Sequence, residues 1–184
     1  MSDTVPATSA PLRLVVMGVS GCGKSTLAQA LAERLDLHML DGDDLHLPES
    51  VAKMRAGIAL DDADRWPWLD RIGDHLAHCD AAPKGCVVAC SALRRCYRDR
   101  IRERAGGVCF LFLDGDFDLI ESRVRLRVGH YMQPGLLASQ FRTLEKPLAD
   151  ETDAITLPIT EPLAGLVHQA EAALQQHPAQ VAAT

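Results

Sequence analysis

"LRLVVMGVSGCGKSTLAQALAERL", residues 12–35, decides the fold class. Its first six residues form an apolar run rich in Leu and Val, as expected of a strand covered on both faces of a parallel sheet. Beyond Ser25 the pattern turns helical, with Leu27, Leu31 and Leu35 four apart. Between the two, Gly18, Gly23, Lys24 and Ser25 satisfy G-x-x-x-x-G-K-[ST], in the strand-before, helix-after context that this motif requires.

The motif has a physical meaning. Glycines let a loop wind tightly round an anion, its backbone N–H groups turn inward, and the following helix adds the positive end of its dipole. The predicted ligand is a nucleoside triphosphate with Mg2+. Gly18, Ser20, Gly21, Cys22, Gly23, Lys24, Ser25 and Thr26 form its cradle, Lys24 bridging the outer phosphates and Ser25 ligating the metal.

Outward from this stretch, short apolar runs recur at "HMLDGD", "CVVACSAL", "VCFLFLDG" and "AITLPIT", separated by helical patterns such as "RWPWLDRIGDHLAHC" and "DLIESRVRLRV". Strands alternating with helices predict an α/β fold with a parallel sheet. Polar groups collect where the strands end, and that carboxyl edge is where open α/β sheets bind ligands.

The 184 residues suit one domain, expected over 12–176, with a disordered leader at 1–11 and a frayed tail at 177–184. No apolar run approaches the roughly 20 residues of a membrane span, and "MSDTVPATSAP" lacks the apolar core of a secretory signal, so a cytoplasmic protein is expected. The six cysteines form no CxxC pair and read as reduced, mostly buried thiols. A net charge of -6 argues against nonspecific nucleic-acid binding.

A phosphate cradle alone serves kinases, GTPases and motors alike. A GTPase would read guanine with an Asn-Lys-x-Asp loop, and the chain contains no asparagine. A motor would carry a strand ending in glutamate, which is missing after "CVVACSAL". In "LDGDDLH", Asp41 and Asp43 stand two apart on one side of an extended segment. One carboxylate can hold hydrated magnesium while the other orients or deprotonates an acceptor hydroxyl; Asp41 takes the first task and Asp43 the second.

With "MGVSGCGKST", "LDGDDLH", "VAKMRAGIALDDADRWPWL", "CSALRRCYRDRIR", "FLFLDGDFDLIESRVRLRVGHYM" and "LLASQFRTLEKP" in this order, the chain resembles the gluconokinases from about Leu14 to Leu166. These are small P-loop kinases that transfer phosphate from ATP to the 6-hydroxyl of D-gluconate, related to shikimate kinase and more distantly to adenylate kinases. The resemblance implies a three-layer, five-stranded parallel sheet, a mobile lid over about 121–138 and a homodimer. Cys22 stands where serine is frequent in the family, and Ser50 where asparagine often begins the "KM" segment.

Gluconate needs cationic anchors for its acid and hydrogen-bonding groups for its hydroxyls. By resemblance, Asp43, His46, Lys53, Arg65, Ser91 and Arg94 bind the acceptor, with the arginine that grips the carboxylate left open. Arg123 and Arg127, four apart on one helical face, suit a lid helix, Arg127 on phosphate as a catalytic group and Arg123 on adenine, with Gly129 a cap or hinge. Trp66 and Trp68 flank Pro67 and offer either a sugar-stacking platform or a core anchor, with Trp66 and Pro67 able to start a helix. Two alternatives stay open: a P-loop kinase for another small hydroxylated acid, and a non-catalytic nucleotide-binding module.

Overall fold

Alternation along Leu12–Met17 (β1) sends Leu14 and Val16 into one apolar layer and Val15 and Met17 into the other, all four fully buried. This computed structural model describes residues 11–79, 84–126 and 135–176. The expected leader up to residue 10, residues 127–134 of the lid segment, with Arg127 and Gly129, and the tail from 177 lie outside the described residues.

Five parallel strands form the sheet in the order β2-β3-β1-β4-β5, with β2 His38–Asp41, β3 Gly85–Ala89, β4 Cys109–Asp114 and β5 Ala154–Pro158. β1 lies between β3 and β4, with Val15 level with Val88 on one side and with Phe110 on the other. The chain therefore leaves β1 at the point where the strand order reverses, and a crevice for ligand opens there.

Helices cover both faces. α1 Lys24–Leu35 and α7 Leu163–Gln176 bury Leu27, Leu31, Leu166, Ala170 and Leu174 on one layer. α3 Asp62–Ala77 and α4 Arg95–Ala105 bury Trp68, Leu69, Ile72, Tyr97 and Ile101 on the other. α2 Pro48–Arg55, α5 Phe117–Leu126 and α6 Leu136–Thr143 sit near the carboxyl edge, where Phe117 and Phe141 meet edge to face at 5.4 Å.

Two local expectations fail. α3 starts at Asp62, four residues before Trp66, because Asp61 and Asp64 close a reciprocal capping box; Pro67 lies inside the helix. Cys79 and Cys86 face each other across the α3–β3 interface with Cα atoms 6.0 Å apart and their sulfurs joined. The expectation of reduced thiols therefore holds only for Cys22, Cys90, Cys96 and Cys109.

Candidate active site

The loop from Gly18 to Gly23 turns β1 into α1 through left-handed backbone at Gly18, Gly21 and Gly23. At Gly21 a side chain would strike Val124 on α5, so glycine is needed there for space as well as for its positive φ of 83°. Gly23, at φ 106°, caps α1 without a side-chain bond, which leaves the first N–H groups of the helix free for an anion. Lys24 Nζ folds back onto Val19 O at 3.0 Å. Cys22 is buried, and that burial pushes its thiol up despite the pull of Lys24; the thiol is not acidic.

Asp41 ends β2, and its neighbour in function departs from the extended reading. Asp43 lies in the 3-10 turn Gly42–Leu45, whose start Asp41 caps by accepting the Asp43 N–H at 3.1 Å. Ser25 Oγ stands 3.4 Å from the other Asp41 oxygen. A hydroxyl and a carboxylate facing each other beside a phosphate cradle fit a hydrated magnesium ion, which keeps several waters and few protein ligands.

Enclosure by protein and then the Asp41 charge push the Asp43 carboxyl up, with His46 and Lys24 opposing. At 84% side-chain accessibility the enclosure is incomplete, so the neighbouring charge is the more robust cause. His46 is buried and stacks on Trp68, ring centroids 4.3 Å apart, with Nε2 3.9 Å from Asp43. Burial pulls the imidazole below its ordinary value. Trp68 is the core anchor of the two tryptophans: it is 1% exposed and donates Nε1–H to Gly42 O at 2.7 Å. Trp66 instead meets Tyr97 edge to face at 5.7 Å.

The basic residues divide into two groups. The first turn of α3 carries Asp62 and Asp64: Asp64 binds Lys53 at 2.6 Å, and Asp62 binds Arg94 at 2.7 Å and the Tyr97 hydroxyl at 2.5 Å. Lys53 and Arg94 thus arrive with carboxylate partners, which the sequence reading missed although both lie in the quoted "DDAD". Arg65 sits over the Tyr97 ring at 5.8 Å, its charge acts on His46, and it has no carboxylate partner among the described residues. Ser91 reaches the site through its backbone, its carbonyl accepting the Gly18 N–H at 3.2 Å.

Gly21, Thr26, Arg123, Pro162, Leu163 and Leu166 line a cleft beside the cradle. Arg123 is held at its mouth by a 2.6 Å bond to Ile159 O. The β5–α7 loop with Pro162 gave no signal in the sequence, because only the fold brings it to the P-loop.

A family model described as an AAA domain matches residues 14–147. The thermoresistant gluconokinase of Escherichia coli (strain K12) is 44% identical over 153 residues, covering 83% of this chain and 87% of that protein. The gluconokinase of Gluconobacter oxydans (strain 621H) is 46% identical over 141 residues, 77% of this chain and 79% of its own.

The chain belongs to the gluconokinase family.

A gluconokinase from Sinorhizobium meliloti 1021 superposes with TM-score 0.80 at 45% identity, covering 90% of this chain and 93% of that one. A shikimate kinase from Aquifex aeolicus, at 14% identity and TM-score 0.56, shares the fold.

Proposed function

We propose that this protein is a gluconokinase, transferring the γ-phosphoryl group of ATP to the 6-hydroxyl of D-gluconate and releasing 6-phosphogluconate and ADP. The observation that carries the reading is the facing of Ser25 and Asp41 beside the cradle with Asp43 next in the turn, in a chain of this family.

Each residue then has a task. The N–H groups of Gly21 to Ser25 cradle the phosphates and Lys24 swings from Val19 O to the outer oxygens. Ser25 and Asp41 would hold Mg2+, which would supply charge neutralisation on the phosphates. Asp43 accepts the hydrogen bond of the gluconate hydroxyl and takes its proton as the hydroxyl oxygen attacks the γ-phosphorus; the bond to the bridging oxygen of ADP breaks, and that oxygen leaves with its electron pair. The adenine lies in the cleft between Arg123 and Pro162. Arg65, which unlike Lys53 and Arg94 has no carboxylate partner among the described residues, takes the gluconate carboxylate. Lys53, Arg94, Ser91 and His46 complete the wall of the acceptor site, and Arg127 covers the phosphates from a lid. The kinase unit spans 12–176 and acts as a cytoplasmic homodimer.

The test is ADP release by the purified protein with ATP and magnesium, comparing D-gluconate, shikimate, other sugar acids and no acceptor. Gluconate-dependent release with 6-phosphogluconate identified by mass supports the reading; equal release without acceptor, or a stronger response to another acid, overturns it. Asp43→Asn should lower turnover sharply with ATP affinity nearly intact, whereas Lys24→Ala should impair phosphate handling itself.

A further inference from the structure

Ser20, inside the phosphate loop, is held by a residue 120 positions later in the chain. Gln140 on α6 accepts the Ser20 N–H on Oε1 at 2.6 Å and donates from Nε2 to Ser20 Oγ at 3.1 Å. A primary amide meeting an N–H and a hydroxyl through both its ends fixes position and orientation together.

The same short stretch of chain reaches the acceptor side five residues later. Glu145 donates its N–H to Leu93 O at 2.8 Å, and its carboxylate accepts the Arg95 N–H at 2.7 Å and lies 3.6 Å from Arg94. The fully buried Arg98 donates to Glu145 O at 3.0 Å, so this end is anchored in the core. Phe141 packs α6 on Phe117 between the two ends.

We propose that Gln140 is a positioning residue for phosphoryl transfer: it fixes Ser20 in the phosphate loop, and the segment from Gln140 to Glu145 sets the distance between the nucleotide cradle and the acceptor loop. The inference rests on the kinase reading above. In-line transfer needs the γ-phosphorus within attack distance of the acceptor oxygen, and a displacement of about 1 Å costs as much as a hundredfold in rate. A part that spans both sites therefore acts on kcat, because neither substrate loses a binding group when it is removed.

The experiment compares wild type with Gln140→Met, which keeps the length of the side chain and removes both hydrogen bonds, and with Ser20→Ala and the double variant. Measured are kcat, KM for gluconate, ATP affinity by calorimetry and Tm. Expected for Gln140→Met is a fall in kcat of roughly ten- to a hundredfold, ATP affinity and gluconate KM within about threefold of wild type, and a double variant no worse than Gln140→Met alone. An unchanged kcat with only a lower Tm, a gain in ATP affinity, or losses that multiply in the double variant would each overturn the proposal. If Gln140→Met does not fold, Gln140→Asn, one methylene shorter, breaks the same bonds and carries the same expectations. Absence of gluconate-dependent turnover in the wild type would instead refute the kinase reading, whatever the variants do.

Discussion

Asp41 holds the backbone of Asp43 with one carboxylate oxygen, at 3.1 Å, and faces the Ser25 hydroxyl with the other, at 3.4 Å. One side chain thus joins the proposed metal site to the proposed base.

Asp41→Asn and Asp41→Ala should separate these tasks. Asn keeps an acceptor for the Asp43 N–H, so Tm should stay near wild type while turnover falls roughly a hundredfold or more and needs higher magnesium. Ala removes the cap as well, costing about 1 kcal/mol in addition. Thermal denaturation beside a magnesium titration of activity distinguishes the two, and chelation of magnesium should abolish turnover in every variant.

The pH profile of kcat/KM for gluconate should show an acid limb from Asp43. Its carboxyl is raised above the ordinary 3.8 by enclosure and by the Asp41 charge, and the base works only when ionised, so activity is lost as pH falls through that raised value. Removing the Asp41 charge in Asp41→Asn should move the limb to lower pH. A limb that stays in place would mean that another group titrates.

Trp68→Phe should destabilise the protein by roughly 1–3 kcal/mol, because the buried Gly42 carbonyl loses its only side-chain donor among the described bonds. Phenylalanine keeps a ring for His46 to stack on, so the loss combines the missing hydrogen bond with the space left by the rest of the indole. Chemical denaturation measures it, and a KM for gluconate that rises with it would show that the same bond steadies the Asp43 turn.

Acid stability should depend on Glu151, which lies 5% exposed against the buried Arg98 at 2.6 Å. Burial pushes its carboxyl up, but the bonds from Arg98 and Arg102 outweigh it and hold the group down at about 2, against an ordinary 4.5. A depressed carboxylate contributes stability that is complete above its unfolded value and is lost as pH falls through its folded one, here between about 4.5 and about 2. Glu151→Gln should cost roughly 3–5 kcal/mol at neutral pH by leaving Arg98 without its counter-charge. It should also flatten the fall in stability over that window, which unfolding followed from pH 6 to pH 2 would reveal.

The phosphate cradle and the five strands are legible along the chain. Gly18 to Ser25 is a local motif whose geometry follows from glycine freedom and a helix start, and the five apolar runs each became a strand. Asp41 and Asp43 were legible as a pair, although a 3-10 turn rather than strand alternation sets their spacing. The start of α3 was misread because Trp66-Pro67 looked like a first turn, whereas the capping box of Asp61 and Asp64 comes earlier and outweighs the missing N–H of Pro67.

Which charges are already paired, and which distant segments touch, emerges only on folding. Lys53 and Arg94, read as acceptor ligands, are paired by α3 with Asp64 and Asp62, and α6 brings Gln140, which has no role along the chain beyond its motif, to Ser20. Local propensities act over a few residues and can be read along the chain. Charge pairing and strand order depend on contacts between segments up to 137 positions apart, which exist only once the sheet has folded.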